Sequence, residues 1–137
     1  MTENLATETR IATVIRDDNG IIITTMKACG RVDEDDVKEL NKVTWEIAGG
    51  QPALKLLLAG GGWDMTRKAT EIAESEDSGS RTRARAIVVS NPLKASLFNF
   101  LKSLSEKDYP QQFFDKRDHA YQWLMAFKTD GLQIPMF

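Results

Sequence analysis

The stretch Ala53-Leu54-Lys55-Leu56-Leu57-Leu58-Ala59 decides the fold of this 137-residue chain. It is too short for a buried helix and has no polar alternation. Pro52 precedes it and Gly60-Gly61-Gly62 follows it. A continuous apolar run bounded in this way reads as a strand in the middle of a sheet, covered on both faces. Only Lys55 interrupts it. Ala84–Ser90 is a second run of the same kind.

Between and around these runs the spacing turns helical. Asp33 reads as an N-cap, with Glu34, Asp35 and Asp36 placing negative charge at the positive end of the helix dipole. Val37, Leu40, Thr44 and Ile47 then recur on one face, and Gly49-Gly50 ends the helix. Gly60–Asp64 reads as a loop. A helix over about Met65–Glu76 buries Ala69, Ile72 and Ala73. Asp77–Arg83 is a polar connection. Asn91-Pro92 is a helix start, since Asn caps and Pro fits the first helical position; Leu93, Leu97, Phe100, Leu101 and Leu104 give that helix an apolar face. After Tyr109-Pro110 come a short strand, Gln112–Phe114, and a last helix capped by Asp115, buried through Ala120, Trp123, Leu124 and Phe127 and ended by Gly131.

Upstream, Arg10–Arg16 alternates and is β-branched, so it reads as a strand. Asn19-Gly20 predicts a hairpin turn, because both residues tolerate positive φ, and Ile21–Ala28 is the returning antiparallel strand. The order β-β-α-β-α-β-α-β-α implies a mixed, mostly parallel sheet of about five strands, with an N-terminal antiparallel hairpin strand and four main helices. The whole chain, 1–137, reads as one domain, with 1–8 a disordered start and 131–137 a tail.

Composition narrows the function. The net charge is −2, with 18 Lys and Arg against 20 Asp and Glu. That gives no basic footprint for nucleic acid. The longest apolar runs fall well short of a bilayer span, so no membrane insertion is expected. The polar, acidic start lacks a secretory signal, and the single cysteine, Cys29, forms no intrachain disulfide; both suit a cytoplasmic protein. One histidine, His119, and one cysteine supply no zinc set, so no metal or other cofactor is expected. A Cys29–His119 dyad is the remaining catalytic arrangement to test.

Three segments carry a family resemblance: Leu54–Gly60 with Asp64-Met65-Thr66-Arg67, Ala84–Ser90 followed by Leu97–Leu101, and Pro110–Asp115 with Ala120-Tyr121-Gln122-Trp123-Leu124. Together they resemble the SpoIIAA-like superfamily, which holds the anti-sigma-factor antagonist (STAS) domains and small bacterial STAS/SEC14-like proteins. The resemblance implies a SpoIIAA-like fold and a non-enzymatic protein-interaction or regulatory module. It implies a kinase or anti-sigma type of partner and a homodimer. The SEC14-like relation implies the alternative of a small apolar-ligand or lipid-binding protein. In STAS domains a serine after an aspartate at this helix start takes a phosphate. Here Asp64 matches, Met65 stands at the acceptor position, and Thr66 offers the nearby hydroxyl.

Thr66, Asp64 and Arg67 are thus the candidate phosphoacceptor or anion site, and helix capping is the plainer role for Thr66 or Asp64. Trp63, Phe98, Leu132, Ile134, Met136 and Phe137 are candidate interface residues, because exposed aromatic and aliphatic groups mark association. Arg81, Arg83 and Arg85 alternate along a strand and are expected to pair with Glu71, Glu74, Glu76 and Asp77.

Overall fold

The computed structural model describes residues 6–76, 80–89 and 108–133. The elements in chain order are β1 (Ala6–Glu8), β2 (Ala12–Arg16), β3 (Ile22–Met26), β4 (Gly30–Val32), α1 (Glu34–Ile47), β5 (Ala53–Leu58), β6 (Trp63–Met65), α2 (Arg67–Glu76), β7 (Thr82–Val88), β8 (Gln111–Phe114) and α3 (Arg117–Gln133). Six strands form one sheet in the order β1-β2-β3-β5-β7-β8. The first two pairings are antiparallel and the last three parallel. The apolar run of β5 lies in the interior of that sheet, between β3 and β7, as its composition requires.

Alternate side chains of the central strands enter different cores, which is the period-two rule of a pleated sheet. Ile21, Ile23, Leu54, Leu56, Ala84 and Ala86 pack with Ala120 and Leu124 of α3. Val14 and Ile22 pack with Ile47 and Ala48 at the end of α1. Met26 joins Val37 of α1 and Ala69 of α2. The sheet therefore has α1 and α2 on one face and α3 on the other.

Several expectations need correction. Ala6–Glu8, expected to be part of a disordered start, is an edge strand paired with Thr13–Ile15. The sheet gains a sixth strand by it. The hairpin turn stands where Asn19-Gly20 placed it, with Gly20 alone of the two at positive φ, 81°. The turn is closed by the Gly20 amide donating to the Asp17 carbonyl at 3.0 Å, while the Asp17 carboxylate accepts from the Asn19 and Ile21 amides, each at 2.9 Å. Trp63–Met65, read as the end of a loop and the start of a helix, is a strand that pairs in parallel with β4 in a separate two-stranded sheet. The last helix opens at Arg117, the Ala120 amide donating to the Lys116 carbonyl, so Asp115 lies outside its first turn. It also runs through Gly131 to Gln133. Three helices stand among the described residues; the one expected from Asn91-Pro92 to Leu104 lies outside them.

The start of α1 is built as expected and is braced further. Asp33 caps it, accepting the Asp36 amide at 2.9 Å, and the Asp36 side chain accepts the Asp33 amide at 3.0 Å in return. This is a capping box with aspartate as the reciprocal acceptor. Arg10, just ahead of β2, donates through Nε and Nη2 to the same carboxylate and through Nη2 to the Arg31 carbonyl at 2.8 Å. One guanidinium thus ties the hairpin, β4 and α1 together. The Arg10 bond is the main reason the Asp36 carboxyl is held down to about 2, with the Asp33 amide adding to it.

A lowered carboxyl stabilises the fold above the ordinary aspartate range, and that contribution disappears as pH falls from about 4 toward the folded value. The wild-type urea midpoint is therefore expected to fall more between pH 5 and pH 2.5 than that of Asp36→Asn, so that the two converge at the acid end. Parallel curves for the two proteins would refute this role.

Candidate functional site

The connections leaving β3 and β5 run side by side as β4 and β6, with Gly30 opposite Trp63, Arg31 opposite Asp64 and Val32 opposite Met65. Two features hold them there. The Gly30 amide donates to the Gly62 carbonyl at 2.9 Å. The Trp63 indole donates to the Ala59 carbonyl at 2.6 Å while its ring packs against the core shared by α1 and α2. Trp63 is half-buried, so it is a packing residue first. From the ends of this pair, α1 and α2 turn back across the sheet.

At the head of α2 the Thr66 hydroxyl accepts the Ala69 amide at 3.1 Å and the Thr66 carbonyl accepts the Thr70 amide at 3.1 Å. Thr66 is the helix cap. Asp64 is exposed on β6 and its carboxylate accepts from Arg31 Nε at 2.7 Å. Arg67 is exposed and lies 3.6 Å from Glu71, one turn on. The three residues share one end of the molecule, but each has a local structural task.

Among the interface candidates, Leu132 falls in the last turn of α3; Phe98, Ile134, Met136 and Phe137 lie outside the described residues. Cys29 is half-buried against the α1–α2 core, whereas His119 is exposed on α3, the helix of the opposite face. The sheet separates them, so they form no dyad. Among the described residues no group of three or more His, Cys, Asp or Glu is placed to hold a metal ion, and no helix is long and apolar enough to cross a membrane.

The arginines at the start of β7 reach partners on other elements. Arg81 lies over the Trp45 ring of α1, 4.7 Å from its centroid. Arg83 donates to the Phe127 carbonyl at 2.9 Å. Arg85 donates from Nε and Nη2 to Gln111 Oε1 at 3.0 and 2.8 Å. Among the described residues they thus meet an aromatic ring, a carbonyl and an amide; the expected acids Glu74, Glu76 and Asp77 lie outside the described side chains.

Two of these arginines line a cleft that sequence reasoning did not find. Its floor is Thr24 of β3, Lys55 and Leu57 of β5, and Arg85 of β7. Leu40, Thr44 and Trp45 of α1 and Ala73 of α2 form its walls. Met26, Trp63 and Met65 close one end and Arg81 stands at the other. The room inside is about 120 Å³. Three cationic side chains and no carboxylate line it among the described residues. The signal was present in the sequence: Lys55 interrupts the apolar run of β5, and Arg85 that of Ala84–Ser90. Their register, which makes them direct cross-strand partners, was not.

Residues 14–128 match the model of a family described as a domain of unknown function, DUF7793. The chain belongs to this family. As a DUF7793 protein it matches no curated protein. Among solved structures it is similar to an uncharacterised protein of the DUF3478 family with a SpoIIAA-like fold, from Shewanella loihica PV-4. The two share 15% identity at a TM-score of 0.62, over 90% of this chain and 98% of the other. At that identity the likeness concerns the fold, which is SpoIIAA-like here, with a mostly parallel sheet and an antiparallel N-terminal hairpin.

Proposed function

We propose that this DUF7793 protein is a non-catalytic regulatory module that binds a small apolar ligand in the cleft beneath α1 and α2. The observation that carries the reading is the cleft itself, in which two tryptophans and two methionines meet at the sheet surface. Concave, mainly apolar sites with a few placed polar groups are where proteins take small molecules. The engaged Thr66 hydroxyl and the separation of Cys29 from His119 favour binding over catalysis. A regulatory module of this type would work in the cytoplasm.

The test is titration of the purified protein with a panel of small aromatic compounds, followed by amide chemical shifts. At least one compound should saturate with shifts centred on Met26, Trp45 and Trp63. A panel that produces no saturable shift in these residues refutes ligand binding.

A second reading, docking to a regulatory protein or to a second copy of the chain, is favoured by the exposed charged end formed by Arg31, Asp64, Arg67 and Lys68. Sedimentation over a range of protein concentrations, repeated with Asp64→Lys, separates the homodimer from the other partner. A dimer that the variant weakens supports self-association through this end.

A further inference from the structure

A second hollow lies at the N-terminal end of β5, away from β4 and β6, with room of about 530 Å³. Its cations are Arg16 of β2, Arg83 of β7 and Lys128 of α3, and Pro52, Ala53 and Leu54 give it apolar lining. No carboxylate is among its described lining residues. Arg83 is there through an irregularity in the sheet. Ala53 pairs with Thr82 and Leu54 with Ala84, so Arg83 has no cross-strand partner on β5. A shift of this kind is uncommon in a parallel pair, and it re-aims a side chain. By simple alternation Arg83 would share a face with Arg81 and Arg85, which line the α1–α2 cleft. It reaches instead to α3 and donates through Nη2 to the Phe127 carbonyl at 2.9 Å. Among the described residues this bond leaves Nε and Nη1 for a ligand, since a guanidinium carries five N–H donors.

Lys128 is placed by a chain of hydrogen bonds. Its Nζ donates to Asn19 Oδ1 at 3.2 Å, the Asn19 amide nitrogen donates to the Tyr121 hydroxyl at 2.8 Å, and that hydroxyl donates to the Asp17 carboxylate. The ammonium has two further protons to offer. The same chain holds Asp17, the nearest acid of the turn, on Tyr121 and on the Asn19 and Ile21 amides. Arg16 has a different task. It donates to the Ile47 carbonyl at 3.4 Å, where its charge offsets the negative end of the α1 dipole. An anion in the hollow therefore does not face a bare helix C-terminus.

We propose that this hollow binds a phosphate monoester of a small polar molecule, such as a sugar phosphate, with the phosphate between Arg83 and Lys128 and the hydroxyl groups against the Gln51 side chain. The guanidinium fork matches phosphate geometry and its bonds are charge-assisted. A concave surface lined by one sign of charge also concentrates anions. The volume falls within the range of about 300–1,000 Å³ in which proteins take small molecules. The site is separate from the α1–α2 cleft and stands independently of the apolar-ligand reading.

The experiment titrates the protein with ribose 5-phosphate, ribose and inorganic phosphate, followed by calorimetry and amide shifts. Ribose 5-phosphate should saturate with shifts centred on Gly20, Gln51 and Arg83. Inorganic phosphate should move the same residues with weaker affinity, and ribose should not saturate over the same range. Arg83→Gln and Lys128→Gln should each weaken ribose 5-phosphate by about tenfold, the worth of one charge-assisted hydrogen bond. Arg81→Gln, in the other cleft, should leave its affinity unchanged. Equal binding of ribose and ribose 5-phosphate overturns the proposal, as do shifts centred on Trp45 and Trp63 or wild-type affinity in both hollow variants. Inorganic phosphate binding as tightly as the sugar phosphate overturns the monoester as ligand. Capture by vesicles carrying phosphatidic acid, without binding of ribose 5-phosphate, overturns it in favour of a lipid headgroup. The three titrations of the wild type are decisive whether or not the variants fold.

Discussion

Leu124→Ala is expected to lower the unfolding free energy by about 3–4 kcal/mol, the range found when a fully enclosed leucine is truncated and its cavity cannot collapse. Leu124 has no exposed surface and sits among Leu54, Leu56, Ala84 and Ala86 of the central strands. The surrounding alanines have no side-chain length with which to fill the space. The ring group of Phe114, Trp123 and Phe127, with centroids 5.6 and 4.8 Å apart in turn, braces the same helix from outside. That bracing keeps α3 at its distance from the sheet and preserves the cavity. The melting temperature should fall by about 10 °C, taking roughly 3 °C per kcal/mol for a chain of this size. Met125, half-buried on the same helix, serves as the comparison: Met125→Ala should cost less than half as much, because less surface returns to water. Thermal unfolding of the two variants side by side checks the claim. Equal losses would mean that α3 is not seated on the sheet as described.

The second large effect is expected from Gly62→Ala. Gly62 has φ at +79°, and an added Cβ would lie 2.7 Å from the Ala28 Cβ and 3.2 Å from its Cα. The left-handed conformation alone costs an L-residue about 1–2 kcal/mol, and forcing two chain segments apart adds about 1–3 kcal/mol. The atoms in the way belong to a methyl and to backbone, so no flexible side chain can yield. The connection from β3 and the Gly60–Gly62 turn must separate, and with them the Gly30–Gly62 hydrogen bond that aligns β4 with β6. A total loss of about 2–5 kcal/mol follows from these two terms. Gly61 is the control: its Cβ would meet nothing within 4 Å. Gly61→Ala should therefore be close to neutral by chemical denaturation. If the two substitutions behaved alike, the close approach at Ala28 would be wrong. Because Trp63 follows directly and closes one end of the cleft, Gly62→Ala should also weaken ligand binding, whereas Gly61→Ala should not.

How far the site was legible depended on whether its parts were local. Thr66 as a helix cap could be read from its place before Arg67–Glu76, because capping involves residues three apart. The cleft could not, because it joins β3, α1, β5, β6, α2 and β7. Lys55 and Arg85 are 30 positions apart in the chain. Each alone resembles an ordinary interruption of an apolar run, and only pairing makes them neighbours. The described partners of Arg81, Arg83 and Arg85 were out of reach for the same reason, since Trp45, Phe127 and Gln111 come to them from other elements.

What the sequence determined by itself was the set of longer elements and their order. The apolar run at Ala53–Leu58, the Asp33 cap and the helical spacing of α1 are decided within a few residues, by burial period and by local hydrogen bonds. The tertiary structure alone decided the three-residue strands β1, β4 and β6, the limits of α3, and the cleft that Lys55 and Arg85 share. Three residues cannot form a strand on their own preference, since ladder hydrogen bonds offset the lost chain entropy only when a partner strand is already in place.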